Sequence, residues 1–283
     1  MRPVMEKQGF ELRHIVYIII LIICLIAIGI AVYMQFFRDE KIGVILGITK
    51  EETDAELKQL KENFLNIFDN KLDVISPYDG NIEKIKSEED VILVAYDKQE
   101  QGENYTVDFK IPYFNINSEN AKKFNQQIKS IFKDKSESVI SSDSEKDIVY
   151  NVKYKAYENN NIISLVILSE LKEGENNERI IIQTYNYNLQ TNDIVDINSI
   201  IQNKNIDTTV ANNRIKNEIN ISQEQNIKLS ELGYNVTVRD TNKDEFKIEN
   251  ATEYFLGENE YLYVVYPYGN NEFTSELDVV IFK

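Results

Sequence analysis

The stretch 148–189, IVYNVKYKAYENNNIISLVILSELKEGENNERIIIQTYNYNL, decides the fold. Ile148, Tyr150, Val152, Tyr154 and Ala156 alternate with polar neighbours, which predicts a strand with one buried face. Ile162–Leu168 is apolar on both faces and predicts a central strand covered on both sides. Ile180–Leu189 alternates more weakly, with Tyr185, Tyr187 and Leu189 on one face. Three such runs joined by short polar connections read as neighbouring strands of one sheet.

Working outward toward the N-terminus, Val91–Tyr96 is a short apolar run. Tyr105, Val107, Phe109 and Ile111 then alternate with polar residues up to Pro112. Ser118 can cap a helix with the stripe Ala121, Phe124, Ile128 and Ile131. On the other side, Gln190-Thr191-Asn192-Asp193 supplies a turn, and a helical stretch covers much of Ile200–Asn226. Asn235–Arg239, Tyr261–Tyr266 and Leu277–Phe282 close the chain as strands, the last two joined by a Pro267-Tyr268-Gly269 loop. Clusters of strands and helices, rather than strict alternation, predict an α+β class with mainly antiparallel sheet over 91–283. That region is read as one domain or as two subdomains, about 91–145 and 146–283.

The N-terminal part has a different character. Ile15–Phe37 (IVYIIILIICLIAIGIAVYMQFF) carries no charge, and only Gln35 is strongly polar. A hydrocarbon core about 30 Å thick needs roughly 20 helical residues, so this run predicts a transmembrane helix. It continues well past the 7–15 residues typical of a signal h-region, and Cys24 follows Ile23 rather than a small residue, so an uncleaved signal anchor is expected. Lysine and arginine counts tie on its two sides. Arg13 abutting the membrane on a short tail places residues 1–14 in the cytoplasm and the rest outside. Residues 38–90 read as a juxtamembrane stalk and linker. Thr49 and Glu52 form a capping box, and Leu57, Leu60, Phe64, Phe68 and Leu72 lie on one stripe of a helix reaching about Lys71. The stripe packs on the domain or against a second copy. Ser76-Pro77-Tyr78-Asp79-Gly80 then marks a turn.

Composition narrows the chemistry. The chain carries 31 Lys and Arg against 47 Asp and Glu, net −16. Setting aside Arg2, Lys7, Arg13, Glu6 and Glu11 in the tail leaves about −17 beyond the anchor. Such a surface repels nucleic acid and anionic headgroups and favours cationic partners. The one cysteine, Cys24, sits in the apolar run, and the one histidine is His14. The outer region therefore lacks the residues for Ser-His-Asp or Cys-His hydrolysis, for His or thiolate zinc sites and for a disulfide. Ser130 and Lys133 share an S-x-x-K spacing, but they fall on a lysine-rich helix face without partner motifs. Calcium loops and glycine-rich phosphate loops are missing, and no cofactor is expected. Paired carboxylates could hydrolyse a glycan, yet no pair stands out among so many. Tyrosines remain: Tyr185, Tyr187, Tyr266 and Tyr268 are candidate ligand-binding residues, because tyrosine gives rigid contact area with a polar tip. The competing reading is a core of ordinary strand tyrosines.

Two segments carry a family resemblance. Ile111-Pro112 followed by Asn117–Lys133, with Asn125 inside a strand-to-helix unit, resembles the first half of the extracytoplasmic region of lysozyme-binding anti-sigma factors, a module also found beside bacterial polysaccharide deacetylases. Thr184–Leu189, Gln190–Asp193, Ile206–Ile219 and Tyr261–Tyr268 with Leu277–Phe282 are similar to its second half. The resemblance implies an extracytoplasmic binding module for an envelope protein such as lysozyme, or for a glycan. Lys172–Asn177 departs from the Gly-Ala-His-Gly-like segment common in that family. A 14-residue tail spans at most roughly 21 Å as helix, too short an expected platform for a sigma factor. The expectation is a membrane-anchored, non-catalytic sensor-like module of the bacterial envelope. The alternatives are a carboxylate-dependent polysaccharide enzyme and a structural partner in a membrane complex, self-associating through Leu57, Leu60, Phe64 and Phe68.

Overall fold

A computed structural model of the chain describes residues 50–142, 145–230, 238–269 and 274–283. The expected cytoplasmic tail and the expected transmembrane helix 15–37 lie outside the described residues. Among those described, no helix is long and apolar enough to cross a membrane. The chain divides into two units, 1–60 and 61–283. The described part of the first, residues 50–60, belongs to helix α1 (Lys50–Glu62).

The expected helix to Lys71 ends early. Asn63 leaves helical geometry and Phe64–Ile67 form a 3-10 turn. Asn70 then takes φ 62°, a left-handed conformation that asparagine tolerates better than most residues, and turns the chain into strand β1 (Lys71–Ser76). The lower half of the stripe is thus split between a turn and a strand. Phe64, 3% exposed, packs edge-on to Phe68 at 5.7 Å and lies 6.3 Å from Phe255. These two rings fill the interior of the second unit.

Among the described residues nine further strands follow: β2 (Ile92–Gln101), β3 (Tyr105–Phe114), β4 (Ile148–Asn159), β5 (Ile162–Glu173), β6 (Arg179–Asn188), β7 (Asp193–Ile194), β8 (Glu253–Leu256), β9 (Leu262–Gly269) and β10 (Thr274–Phe282). The first sheet runs β2-β3-β4-β5-β6-β7, with β1 also on β4; the second runs β10-β9-β8. β3 and β1 share one edge of β4 end to end, both parallel to it, while the other pairings are antiparallel. Lys155 fastens β1 there: its buried ammonium reaches Asp69 at 3.0 Å and Asp73 at 2.5 Å. The apolar run Ile162–Leu168 lies in β5, the central strand flanked by β4 and β6, as its two-sided pattern predicts.

Four layers result. One face of the large sheet, with Tyr150, Val152, Leu165, Ile167, Tyr185 and Tyr187, packs under helices α2 (Glu119–Ile128) and α3 (Asp134–Ile140). A π-turn at Lys129–Lys133 joins them and drives Phe132 into the core. Ser118 caps α2 by accepting from the Ala121 amide at 3.1 Å, as the sequence predicts. The other face meets the small sheet, where Tyr157 stacks on Phe255 and Phe255 on Tyr263. The far side of the small sheet, with Leu262, Val264, Tyr266, Val280 and Phe282, packs on helices α4 (Ile197–Asn203) and α5 (Thr208–Ser230). The stretch read as one helix over 200–226 is therefore two, separated by Asn205 at φ 54°.

Side-chain amides and hydroxyls finish the sheet edges. The Tyr254 amide donates to Thr184 Oγ1 and the Leu256 amide to Ser164 Oγ, while Asn186 donates to the Tyr254 carbonyl. β8, paired with β9 on one edge, thereby finds polar partners on the face of the large sheet. Asn125 does the same for β3, accepting from the Phe114 amide at 2.7 Å and donating to its carbonyl at 2.9 Å. Replacing Asn125 with alanine removes both partners from a fully buried residue's backbone. The expected loss is about 2 kcal/mol, read as a lower urea midpoint with unchanged slope.

Candidate functional site

The tyrosine candidates divide sharply. Tyr185 and Tyr187 sit on the inner face of β6, where strand alternation aims them under α2. Tyr185 meets Phe124 edge-on at 4.8 Å, and Tyr187 lies 5.9 Å from Phe114. The Tyr187 hydroxyl joins Ser118 at 2.7 Å and Asn192 at 2.9 Å, tying the α2 cap to the turn after β6. Tyr266 faces the α4–α5 layer. Burial pushes the hydroxyls of Tyr185 and Tyr266 well above the usual tyrosine range. These three are core residues, closed to a ligand arriving from solvent, contrary to their reading as contact residues. The reason is their register: each falls on the face that an amphipathic helix covers.

Tyr268 is different. Pro267-Tyr268-Gly269 belongs to β9 rather than to a loop, with Pro267 opposite Leu277 and Tyr268 opposite Glu276. β8 pairs only as far as Val265, so the missing Pro267 amide faces no ladder on that side. The Tyr268 ring is half-buried. Its hydroxyl accepts from Asn226 Nδ2 on α5 at 2.9 Å. Burial raises its hydroxyl, with Asp278 and Glu276 adding to the effect and Ser222 and Asn226 opposing it.

Beneath the ring lies Arg239, whose guanidinium carbon is 3.8 Å from the Tyr268 centroid. Nη1 of Arg239 pairs with Oδ2 of Asp278, and the side chains are only 6% and 4% exposed. The Arg239 amide donates to Gln223 Oε1 of α5 at 2.6 Å. Glu276 stands on the same strand face, two residues before Asp278. Its carboxyl is raised by burial first and by Asp278 second, with Arg239 pulling the other way. One corner thus gathers an aromatic ring, a buried cation and two carboxylates between α5 and the β9–β10 hairpin.

Arg239 and Asp278 escaped the sequence reading. Asn235–Arg239 was expected as a strand; residues 235–237 lie outside the described residues, and Val238 and Arg239 are not in a strand. A signal did exist in β10. Asp278 shares its strand face with Val280 and Phe282, both core residues, and a charge on such a face requires a buried partner. The S-x-x-K pair is divided, with Ser130 facing solvent and Lys133 half-buried over the Tyr96 ring at 4.6 Å. Lys133 bonds Glu137 at 2.7 Å, which raises its ammonium above the usual lysine range and keeps it charged. Among the described residues no cluster of three or more His, Cys, Asp or Glu is placed to hold a metal.

No family profile matches the chain, and no curated protein does. Among solved structures, a DUF3298 family protein from Pseudomonas aeruginosa is similar with a TM-score of 0.27 and 11% identity, over 35% of this chain and 50% of that one. A DUF3298 family member from Bacteroides fragilis gives 0.30 and 10% identity, over 58% of this chain and 74% of that one. The chain thus spans half the length of the first. Likeness at this level carries no argument about function.

Proposed function

We propose that the chain is a membrane-anchored extracytoplasmic binding module of the bacterial cell envelope, acting without catalysis, with its N-terminus in the cytoplasm. The apolar run Ile15–Phe37 supplies the anchor, and the acidic region beyond it favours a cationic protein as partner. The observation that carries the reading is the Tyr268 corner. There a half-buried ring rests on a buried guanidinium, and Glu276 stands beside it in strand register. An aromatic anchor held rigid from below and flanked by acid is the chemistry of a recognition surface for a basic protein.

Hen lysozyme serves as the cationic probe against the full chain in lipid nanodiscs. Its on-rate should fall with added salt, since net charge of opposite sign steers the encounter. Tyr268→Ala should weaken binding by about thirtyfold, the loss of roughly 2 kcal/mol typical of an aromatic hot spot. An unaltered affinity in a folded Tyr268→Ala variant would show that the partner docks elsewhere. Lack of any binding overturns the cationic-partner reading.

A further inference from the structure

We propose that the free edge of β2 is a self-association surface, pairing antiparallel with the same edge of a second copy of this chain about a two-fold axis at Gln99. β2 ends the large sheet, and among the described residues no strand lies beyond it. Its outward-facing groups follow from the ladder. The Gly102 amide donates to the Tyr105 carbonyl at 2.8 Å, and bonded pairs recur at every second residue of an antiparallel ladder. Glu100, Lys98 and Tyr96 therefore point their amides and carbonyls at Val107, Phe109 and Ile111. The other side of β3 keeps the same alternation, since the Ile148 amide donates to the Asn104 carbonyl at 2.9 Å. Asp97, Gln99 and Gln101 thus turn their backbone groups away from β3, and all three residues are exposed. A bulge between Val94 and Tyr96 closes this regular stretch at one end, and the turn at Gly102 closes it at the other.

Charge fixes the occupant. In a symmetric antiparallel pair the residue on the axis meets its own twin, and its neighbours meet crosswise. With Gln99 on the axis, Asp97 of each copy pairs with Gln101 of the other, giving about six backbone hydrogen bonds with the Gln99 pair included. The positions between them set Lys98 of each copy against Glu100 of the other, at the sites without hydrogen bonds, where side chains lie closest. No like charges meet. Centring on Asp97, Lys98 or Glu100 sets a charge against itself, and Lys98 and Glu100 have no outward groups to pair. Centring on Gln101 runs the pairing into 102–104, past the end of the strand. Lysine and glutamate on an edge ordinarily keep other strands away. This edge is self-complementary in a single register.

Few contacts have to be given up. Within one chain Lys98 and Glu100 join at 2.6 Å with side chains 40% and 38% exposed, and so exposed a pair exchanges readily with an equivalent partner. Pairing over 97–101 covers less than a standard interface, so association in free solution is weak. Two copies tethered in one membrane through the run Ile15–Phe37 meet at a far higher effective concentration. The inference goes beyond the binding-module reading, sharing the anchor with it but neither the Tyr268 corner nor the cationic partner.

The test uses the full chain in liposomes, with Cys24→Ser removing its one cysteine. Gln99→Cys then places two thiols opposite each other on the axis, within disulfide reach, whereas Gln101→Cys sets them roughly 13 Å apart along the strands and out of reach. Under a mild oxidant Gln99→Cys should cross-link at least about tenfold faster than Gln101→Cys, and Gln101→Cys mixed with Asp97→Cys should cross-link as fast as Gln99→Cys. In the Gln99→Cys chain, Lys98→Glu alone or Glu100→Lys alone brings like charges together on both sides of the axis and should slow cross-linking about tenfold. Mixing these two variants, one carrying a size tag, puts opposite charges back across the axis and should restore the rate of the mixed product. All the substituted side chains are exposed, and circular dichroism checks that each variant is folded. Rates are compared at one protein density, so the comparison holds whether or not the anchor inserts. Equal rates at 99 and 101, charge variants that cross-link undiminished, or a mixture that stays slow each overturn the proposal. A chain that cross-links in this register yet ignores lysozyme overturns the binding-module reading alone, and one that binds lysozyme without this register overturns this inference alone.

Discussion

Asp278→Ala should lower folding stability by about 3–5 kcal/mol, the usual consequence of removing one partner of a buried ion pair. Both side chains lie inside, at 6% and 4% exposure, so truncation strands a guanidinium that water cannot reach. With Nε and Nη2 already lacking partners among the described residues, the variant would leave Arg239 the π face of Tyr268 and the more distant Glu276 carboxyl. Urea unfolding read by circular dichroism gives the number. A loss below about 1 kcal/mol would mean that water screens the pair and that the corner is open rather than closed. The double substitution Arg239→Met with Asp278→Leu separates the pair's worth from the penalty for breaking it. Apolar replacements of similar volume often restore stability, so the double variant should recover most of the loss made by the single one.

The same pair marks how far the sequence could be read. Strands β4, β5 and β6 are legible because each buries a face whose period is two, and β5 because it buries both. β2 is longer than the apolar run that announces it. Lys98–Gln101 is a polar edge segment opposite Thr106–Phe109, and hairpin pairing rather than hydrophobicity keeps it extended. The pattern predicts that Pro112 ends β3, yet the strand continues to Phe114. β4 leaves β3 after Phe109, so the proline's missing N–H faces no ladder there. Pro267 in β9 obeys the same rule. The α1 stripe misled because Phe64, Phe68 and Leu72 keep helical spacing although Asn63 ends the helix before Phe64 and Asn70 turns the chain before Leu72. Asn125 was singled out by resemblance, and its role as a substitute edge for β3 depends on a fold that spacing cannot show. The corner itself was half legible. Tyr268 stood out beside a proline, whereas Arg239 and Asp278 meet across 39 positions and leave no local trace.

Glu253 should make the protein more stable at pH 5 than at pH 8. It begins β8, where Oε2 accepts from the Thr184 amide at 2.8 Å and the Thr184 hydroxyl at 3.1 Å, while Oε1 accepts from Gln183 at 3.3 Å. Those bonds favour the ionised carboxylate, but burial between the sheets outweighs them and pushes the group from 4.5 up to about 7. The sign follows from proton counting. Between 4.5 and about 7 the folded state holds a proton that the unfolded state has released, so unfolding is disfavoured most at the acidic end. The contribution is fully present below 4.5 and is lost as pH rises through about 7. At about 1.4 kcal/mol per pH unit, that interval corresponds to on the order of 3 kcal/mol. Glu276, also raised, acts in the same direction, whereas exposed carboxylates such as Asp240 and Asp244 are lowered and act in reverse at more acidic pH. Glu253→Gln isolates the effect. It keeps an oxygen for Thr184 and carries no charge, so its stability should fall much less from pH 5 to 8 than the wild type's, keeping only the part Glu276 contributes, and should exceed the wild type at pH 8. A wild-type profile that rises from pH 5 to pH 8, or a glutamine variant with an unchanged slope, would show that Glu253 stays ionised in the seam and that its three donors outweigh its burial.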